Sequence, residues 1–231
     1  MRLSLALSSH KNFHEKGYAD FQLARSLEEN YKTGRLVAWF KRITAIATNN
    51  ELKGKAYHSL AALQEDICGD FSSAKNSFQL AINYLRKSTD REQLANTLFN
   101  YGYALFYRDR FDEAEGYLRK GLEVQLSLAE EDPEEYRSDL VRIYRILTGI
   151  ALKKADDTGL FHWIEQWFSL TKQSANLTID TILDEISSIL KENGDIQKRY
   201  QVLSKIAHDY PSIQAKLNLA FCARDIRPSS R

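Results

Sequence analysis

Two stretches of this chain repeat one another at a shift of 40 residues: Phe71 falls on Phe111, Ala74 on Ala114, Phe78 on Leu118 and Ala62 on Gly102. A period in the range of roughly 20–50 residues is a strong constraint on folding. Each copy is one supersecondary unit that cannot bury its apolar face alone, so the copies must stack.

The repeated unit reads as a pair of helices. In Ala95–Arg108, Leu98 and Leu105 fall on one side at about 100° per residue, and Asn96, Asn100, Tyr103 and Tyr107 fall on the other. Asp109-Arg110-Phe111-Asp112 is a tight polar break, and Glu113–Leu122 is a second helix with Ala114, Leu118 and Leu122 at spacing four. A short break between two helices makes an antiparallel hairpin. Upstream, Ala56–Ile67, the break Cys68-Gly69-Asp70-Phe71, and Ser73–Leu85 repeat the pattern. Ten glycines and three prolines in 231 residues are about half the usual share. Few turn formers mean few turns and long elements, against a β-sandwich or barrel.

Tyr101-Gly102 in the first helix, the break before Phe111, then Ala114, Leu118, Gly121 and Leu122 resemble a tetratricopeptide repeat (TPR). Small residues let the two helices approach and large ones fill the groove between them. The family consensus is about 34 residues. The longer shift is similar to the long-helix variants of bacterial peptide-sensing regulators and kinesin light chains.

Weaker copies extend the pattern. Tyr144–Lys154, a break at Asp156–Gly159, and Leu160–Leu170 form one hairpin, with Trp163 where the family prefers alanine. Ile182–Leu190, the break Asn193-Gly194-Asp195, and Gln197–His208 form another. At the front, Phe13–Tyr31 and Leu36–Thr48 form a degenerate one. The resemblance implies an all-α, right-handed superhelical stack in a single domain over 1–225. Its hairpins fall at about 12–48, 56–85, 95–122, 142–170 and 182–208, followed by a terminal helix at 212–225 and a tail at 226–231. Ala129-Glu130-Glu131-Asp132-Pro133-Glu134-Glu135 reads as a turn into a helix, because proline and acids suit a helix start.

Chemistry is sparse. Net charge is +1, and apolar and charged residues make up 43% and 27% of the chain. No global field favours nucleic acid, although residues 1–60 carry ten basic and five acidic side chains. Cys68 and Cys222 are far apart and lack CxxC spacing, which excludes a disulfide framework or zinc knuckle; both are expected to be small core residues of a protein in a reducing compartment. The short apolar stretch at Met1–Ser8 is not a secretory leader, and the charge-free run Gln93–Tyr107 is too polar to span a membrane. A cytoplasmic protein is expected. His10 and His14, four apart, lack the further ligands of a metal site. His58, His162 and His208 are scattered and read as surface or interface residues. No GxGxxG, GxxxxGK[ST] or GxSxG motif occurs. Asp156-Asp157 and Asp184-Glu185 are adjacent and diverge on a helix. No enzyme, cofactor or metal is expected.

What remains is a binding surface. The first helix of each hairpin lines the concave side of such a stack, so the resemblance places Asn96, Asn100, Tyr103 and Tyr107 there, beside Leu63 and Ile67 of the preceding copy. Asparagine supplies donor and acceptor to a peptide backbone, and tyrosine an apolar body with a polar tip. Arg108 and Arg145, with Arg142, Lys153 and Lys154 nearby in sequence, could grip a carboxylate. Arg145 is concave in one of two alignments of its hairpin. The competing reading packs these residues against a neighbouring helix. The expected function is a non-enzymatic scaffold or adaptor for a protein or peptide. The alternative is a sensor or subunit module of a nucleic-acid-associated complex.

Overall fold

The structure, a computed structural model, describes residues 33–170, 179–192 and 196–209. The Phe13–Tyr31 helix, the 193–195 break, the 212–225 helix, the 226–231 tail and the His10/His14 pair lie outside the described residues. The chain divides into two compact units, Met1–Glu131 and Asp132–Arg231.

In the first unit, α1 spans Thr33–Ile46 and α2 Asn50–Ala62. A π-helical turn at Leu63–Ile67 follows, then α3 at Phe71–Leu85, α4 at Arg91–Phe106 and α5 at Phe111–Ala129. In the second, α6 spans Pro133–Lys153, α7 Asp157–Ser169, α8 Ile179–Glu192 and α9 Ile196–Asp209. No strand occurs among the described residues. The architecture is the expected all-α succession of helical hairpins, and most helices run past their sequence-read limits. α2 begins at Asn50 rather than Ala56, and α5 continues to Ala129 rather than Leu122.

The helix starts explain the longer elements. Asn49, Asp70, Asp90, Asp132 and Asp156 each cap a helix by accepting from the backbone N–H three residues on: Leu52, Ser73, Gln93, Glu135 and Gly159. An aspartate or asparagine there satisfies an N–H that has no partner within the helix. Pro133 follows its cap as the first residue of α6, which makes Ala129–Glu135 a turn into a helix. Three breaks share one device. Gly69, Asp109 and Ala155 stand at φ 63°, 55° and 54°, and the next residue's N–H reaches back to Gln64, Leu105 and Ala151. This left-handed residue closes a helix and turns the chain into its partner.

The seams bury the repeated positions. Ala74, Phe78, Ala81 and Leu85 of α3 and Ala114 and Leu118 of α5 are at most 2% exposed. A Cβ at Gly102 would stand 2.7 Å from Leu118 Cγ, and one at Gly121 3.3 Å from Leu98 Cβ. In the second unit Trp163 is buried and meets Tyr144 at 6.3 Å between centroids, so a large side chain fills the place expected for alanine.

One register differs from the sequence reading. In the π turn the N–H of Cys68 bonds the carbonyl of Leu63, five residues back. A π turn holds one residue more than an α turn, so the shift between copies is 40 residues after it and 41 before it. Ala61, not Ala62, is the counterpart of Gly102: Ala61 is wholly buried and Ala62 only half-buried.

Candidate binding face

Helices α2 and α4 lie side by side in the first unit, joined by polar ties at three levels. At one end Lys55 of α2 bonds Glu51 at 2.7 Å and the α4 cap Asp90 at 2.6 Å. Burial works against the Lys55 charge, but the two carboxylates outweigh it and raise the ammonium above its ordinary range. At the other end Arg108 pairs with Glu65 of the π turn, bonds the Ala104 carbonyl at 2.9 Å and lies 4.0 Å over the Phe71 ring. Midway, the His58 ring meets Thr97 Oγ1 through Nδ1 at 3.0 Å and Asn100 Nδ2 through Nε2 at 3.4 Å. A face tied in this way is fixed before anything binds to it.

On α4, Asn96 and Asn100 are half-buried, while Tyr103 is 39% and Tyr107 66% exposed. The rings of Phe99, Tyr103 and Tyr107 follow one another at 5.9 and 4.7 Å between centroids. The Tyr103 and Tyr107 hydroxyls are hydrogen-bonded at 3.0 Å, which leaves one proton of the pair for another acceptor. Ile67, the counterpart of Tyr107, is 52% exposed.

Leu63 does not belong to this face. It is 1% exposed and packs with Leu36, Phe40 and Ile43 of α1. The extra residue of the π turn makes it the counterpart of buried Ala104 rather than of Tyr103. Arg108 is engaged by Glu65 and Phe71 and serves as a strut. Arg145 lies on α6, in the other unit, 3.3 Å from Glu185.

Sequence reasoning missed the role of His58 and Thr97. Both are buried, Thr97 wholly so, and they stand 39 residues apart. Only the corrected register reveals the position, since it aligns His58 with the core residue Phe99. Among the described residues no group of three or more His, Cys, Asp or Glu could hold a metal ion. No described helix is long and apolar enough to cross a membrane.

Solved structures share this architecture. The nearly identical TPR-like repeats of a kinesin-light-chain-type protein of Podosopora anserina match with a TM-score of 0.62 at 15% identity, over 95% of this chain and 100% of that one. The fold is TPR-like. BtubC (BKLC) of P. vanneervenii matches with a TM-score of 0.59 at 16% identity, over 94% and 83% of the two chains. Aspartyl phosphate phosphatase F of Bacillus subtilis matches at 0.59 and 13%, over 95% and 62%. At such identities the TPR-like likeness is one of fold. No protein-family model matches the sequence, and no curated protein does either.

Proposed function

We propose that this TPR-like chain is a non-enzymatic, cytoplasmic scaffold or adaptor that holds an extended protein segment on the concave side of its helical stack. The site is the α4 face formed by Asn96, Asn100, Tyr103 and Tyr107, with Ile67 at its edge. The observation that carries the proposal is the exposed Tyr103–Tyr107 pair, on a helix tied to α2 at three levels. Exposed tyrosines rimmed by carboxamides are strong contact anchors, because a large ring is desolvated with few rotors to freeze. Preorganisation removes part of the cost of ordering the face on binding. Spacing supports an extended ligand. Side chains four apart on a helix recur about every 6 Å, and alternate residues of an extended chain recur at nearly the same interval, about 6.6 Å.

Cys68 is exposed rather than a core residue as expected, and its free thiol suits a reducing compartment. Arg108 and Arg145 enter only secondarily, since each already has a carboxylate partner.

The test has two stages. Affinity capture with the full chain and mass spectrometry identify the partner, and calorimetry measures its segment against the parent and an Asn96→Ala/Tyr107→Ala variant. Loss of an aromatic anchor and a backbone contact should weaken binding by at least about tenfold, with an unchanged circular dichroism spectrum. Equal affinity in the folded variant would move the site off this face. Capture of nucleic acid with a steep salt dependence would instead favour a subunit of a nucleic-acid complex.

A further inference from the structure

We infer that His58 is a positioning residue: held by Thr97 as the Nδ1–H tautomer, it turns the Asn100 carboxamide so that Oδ1 faces outward, and the middle of the face therefore takes a hydrogen-bond donor. That the donor is a backbone N–H of a bound segment rests on the function proposed above. The orientation of Asn100 does not.

The argument counts protons. Thr97 Oγ1 has two polar neighbours, the Gln93 carbonyl at 2.7 Å and His58 Nδ1 at 3.0 Å. A hydroxyl has one proton to donate, and a carbonyl oxygen can only accept. If the proton went to His58, two oxygen lone pairs would face each other at 2.7 Å on a wholly buried side chain. The arrangement without that clash sends the threonine proton to Gln93 and leaves Oγ1 to accept from His58. Nδ1 then carries a ring proton, and in the neutral ring Nε2 is the acceptor. The atom facing Nε2 is the Asn100 amide nitrogen, at 3.4 Å. All three pairs thus become hydrogen bonds in one direction: Asn100 Nδ2–H to His58 Nε2, His58 Nδ1–H to Thr97 Oγ1, and Thr97 O–H to the Gln93 carbonyl. The other tautomer needs Asn100 reversed and breaks one of these three hydrogen bonds. His58 is 8% exposed, so water is poorly placed to replace that bond, and an unpaired buried group is costly.

With Nδ2 turned toward His58, the carboxamide presents Oδ1 on its other side. A carbonyl there selects an N–H over a C=O on the ligand. Specificity at this position is therefore written behind the ligand-facing surface, in the buried hydroxyl of Thr97.

The tautomer is measurable on the free full-length chain, with no partner. Long-range proton–nitrogen correlation NMR on the nitrogen-15-labelled protein reads which ring nitrogen of His58 is protonated. The expected result is a protonated Nδ1 and a bare Nε2. Thr97→Val keeps the shape and removes the acceptor, so the tautomer should shift toward Nε2–H and the Asn100 side-chain amide resonances should move with it. Thr97→Ser restores the hydroxyl and should restore the parent pattern, which keeps the test open if the valine variant fails to fold. An Nε2–H ring in the parent, or an Asn100 amide indifferent to the tautomer, would overturn the inference. The outcome is independent of the partner titration, so either reading can fail alone.

Discussion

At the scale of single residues, the first unit holds a tyrosine and a pair of glycines whose contributions can be separated by small changes. Tyr101 is 0% exposed, stacks on Phe78 at 5.2 Å and lies 4.5 Å from the Tyr117 ring, yet its hydroxyl is buried with no partner. Burial pushes that phenol up to about 12. A raised phenol favours folding while the unfolded chain keeps its proton, below pH of about 10, and the benefit is lost as pH rises through the folded value. Tyr101→Phe removes the unpaired hydroxyl and keeps both ring contacts. It should leave the unfolding free energy unchanged or raise it by about 1 kcal/mol, and abolish this part of the alkaline loss. Denaturant titrations at neutral and alkaline pH check both, and a loss above about 1 kcal/mol would show that the hydroxyl has a partner. Glycine gives a second contrast. At Gly102 a Cβ would press on Leu118 Cγ at 2.7 Å and the Ala114 carbonyl at 3.2 Å, whereas at Gly116 it would meet nothing within 4 Å. Gly102→Ala should therefore cost about 1–3 kcal/mol through overpacking. Gly116→Ala, also within a helix, should gain about 0.5–1 kcal/mol. Equal signs in the two denaturation midpoints would mean the α4–α5 seam is looser than the structure has it.

At the scale of the element, the π turn decides which side chains of α2 are inside. It is held by Ser77 of α3, which donates to Gln64 at 2.7 Å, and by the Arg108–Glu65 pair. Leu63 consequently packs into the core and Ile67 projects outward. Leu63→Ala should cost about 2–5 kcal/mol in a chemical melt, and Ile67→Ala should change stability by no more than about 0.5 kcal/mol. Similar costs for the two would place Leu63 back on the surface. The same turn marks the limit of what the sequence discloses. Helices α3 and α5 are legible in advance because Ala74 and Phe78, like Ala114 and Leu118, sit four apart on one seam, and Phe71 and Phe111 stand at matching breaks. Asn96, Asn100, Tyr103 and Tyr107 can be read as one face because they recur at steps of four, three and four opposite the Leu98–Leu105 seam. The register of α2 cannot be read this way. One added residue inside an uninterrupted helical run leaves no glycine or proline to mark it, Glu65 and Asp66 would suit an ordinary helical turn equally, and the backbone hydrogen bond from Cys68 to Leu63 reveals it. The role of His58 is hidden for the same reason, since its partners stand 39 and 42 residues away.

At the scale of the whole molecule, the chain reads as one run of hairpins, while its described residues form two compact units that meet in sequence at Glu131 and Asp132. These statements are compatible in a repeat protein, whose stability is a sum of unit terms and nearest-neighbour terms. Each unit has its own buried aromatic and aliphatic side chains: Phe40, Phe78, Tyr101 and Leu118 in the first, and Tyr144, Leu147, Trp163 and Trp167 in the second. The fragment Met1–Glu131 should therefore fold alone, with a helical circular dichroism spectrum and a cooperative melt. A fragment that stays unfolded would show that its core is incomplete without the rest of the chain. The proposal that residues 1–225 form one domain makes a further demand. If the units are coupled, the first must be harder to unfold in the full chain than as a fragment, by the free energy of their coupling. Placed in the full chain on a Trp39→Phe background, which removes the tryptophan signal of the first unit, the Gly102→Ala lesion should then lower the melt followed by the tryptophans of the second, Trp163 and Trp167. If those tryptophans report the same midpoint with and without the lesion, the units melt independently and the chain consists of two domains.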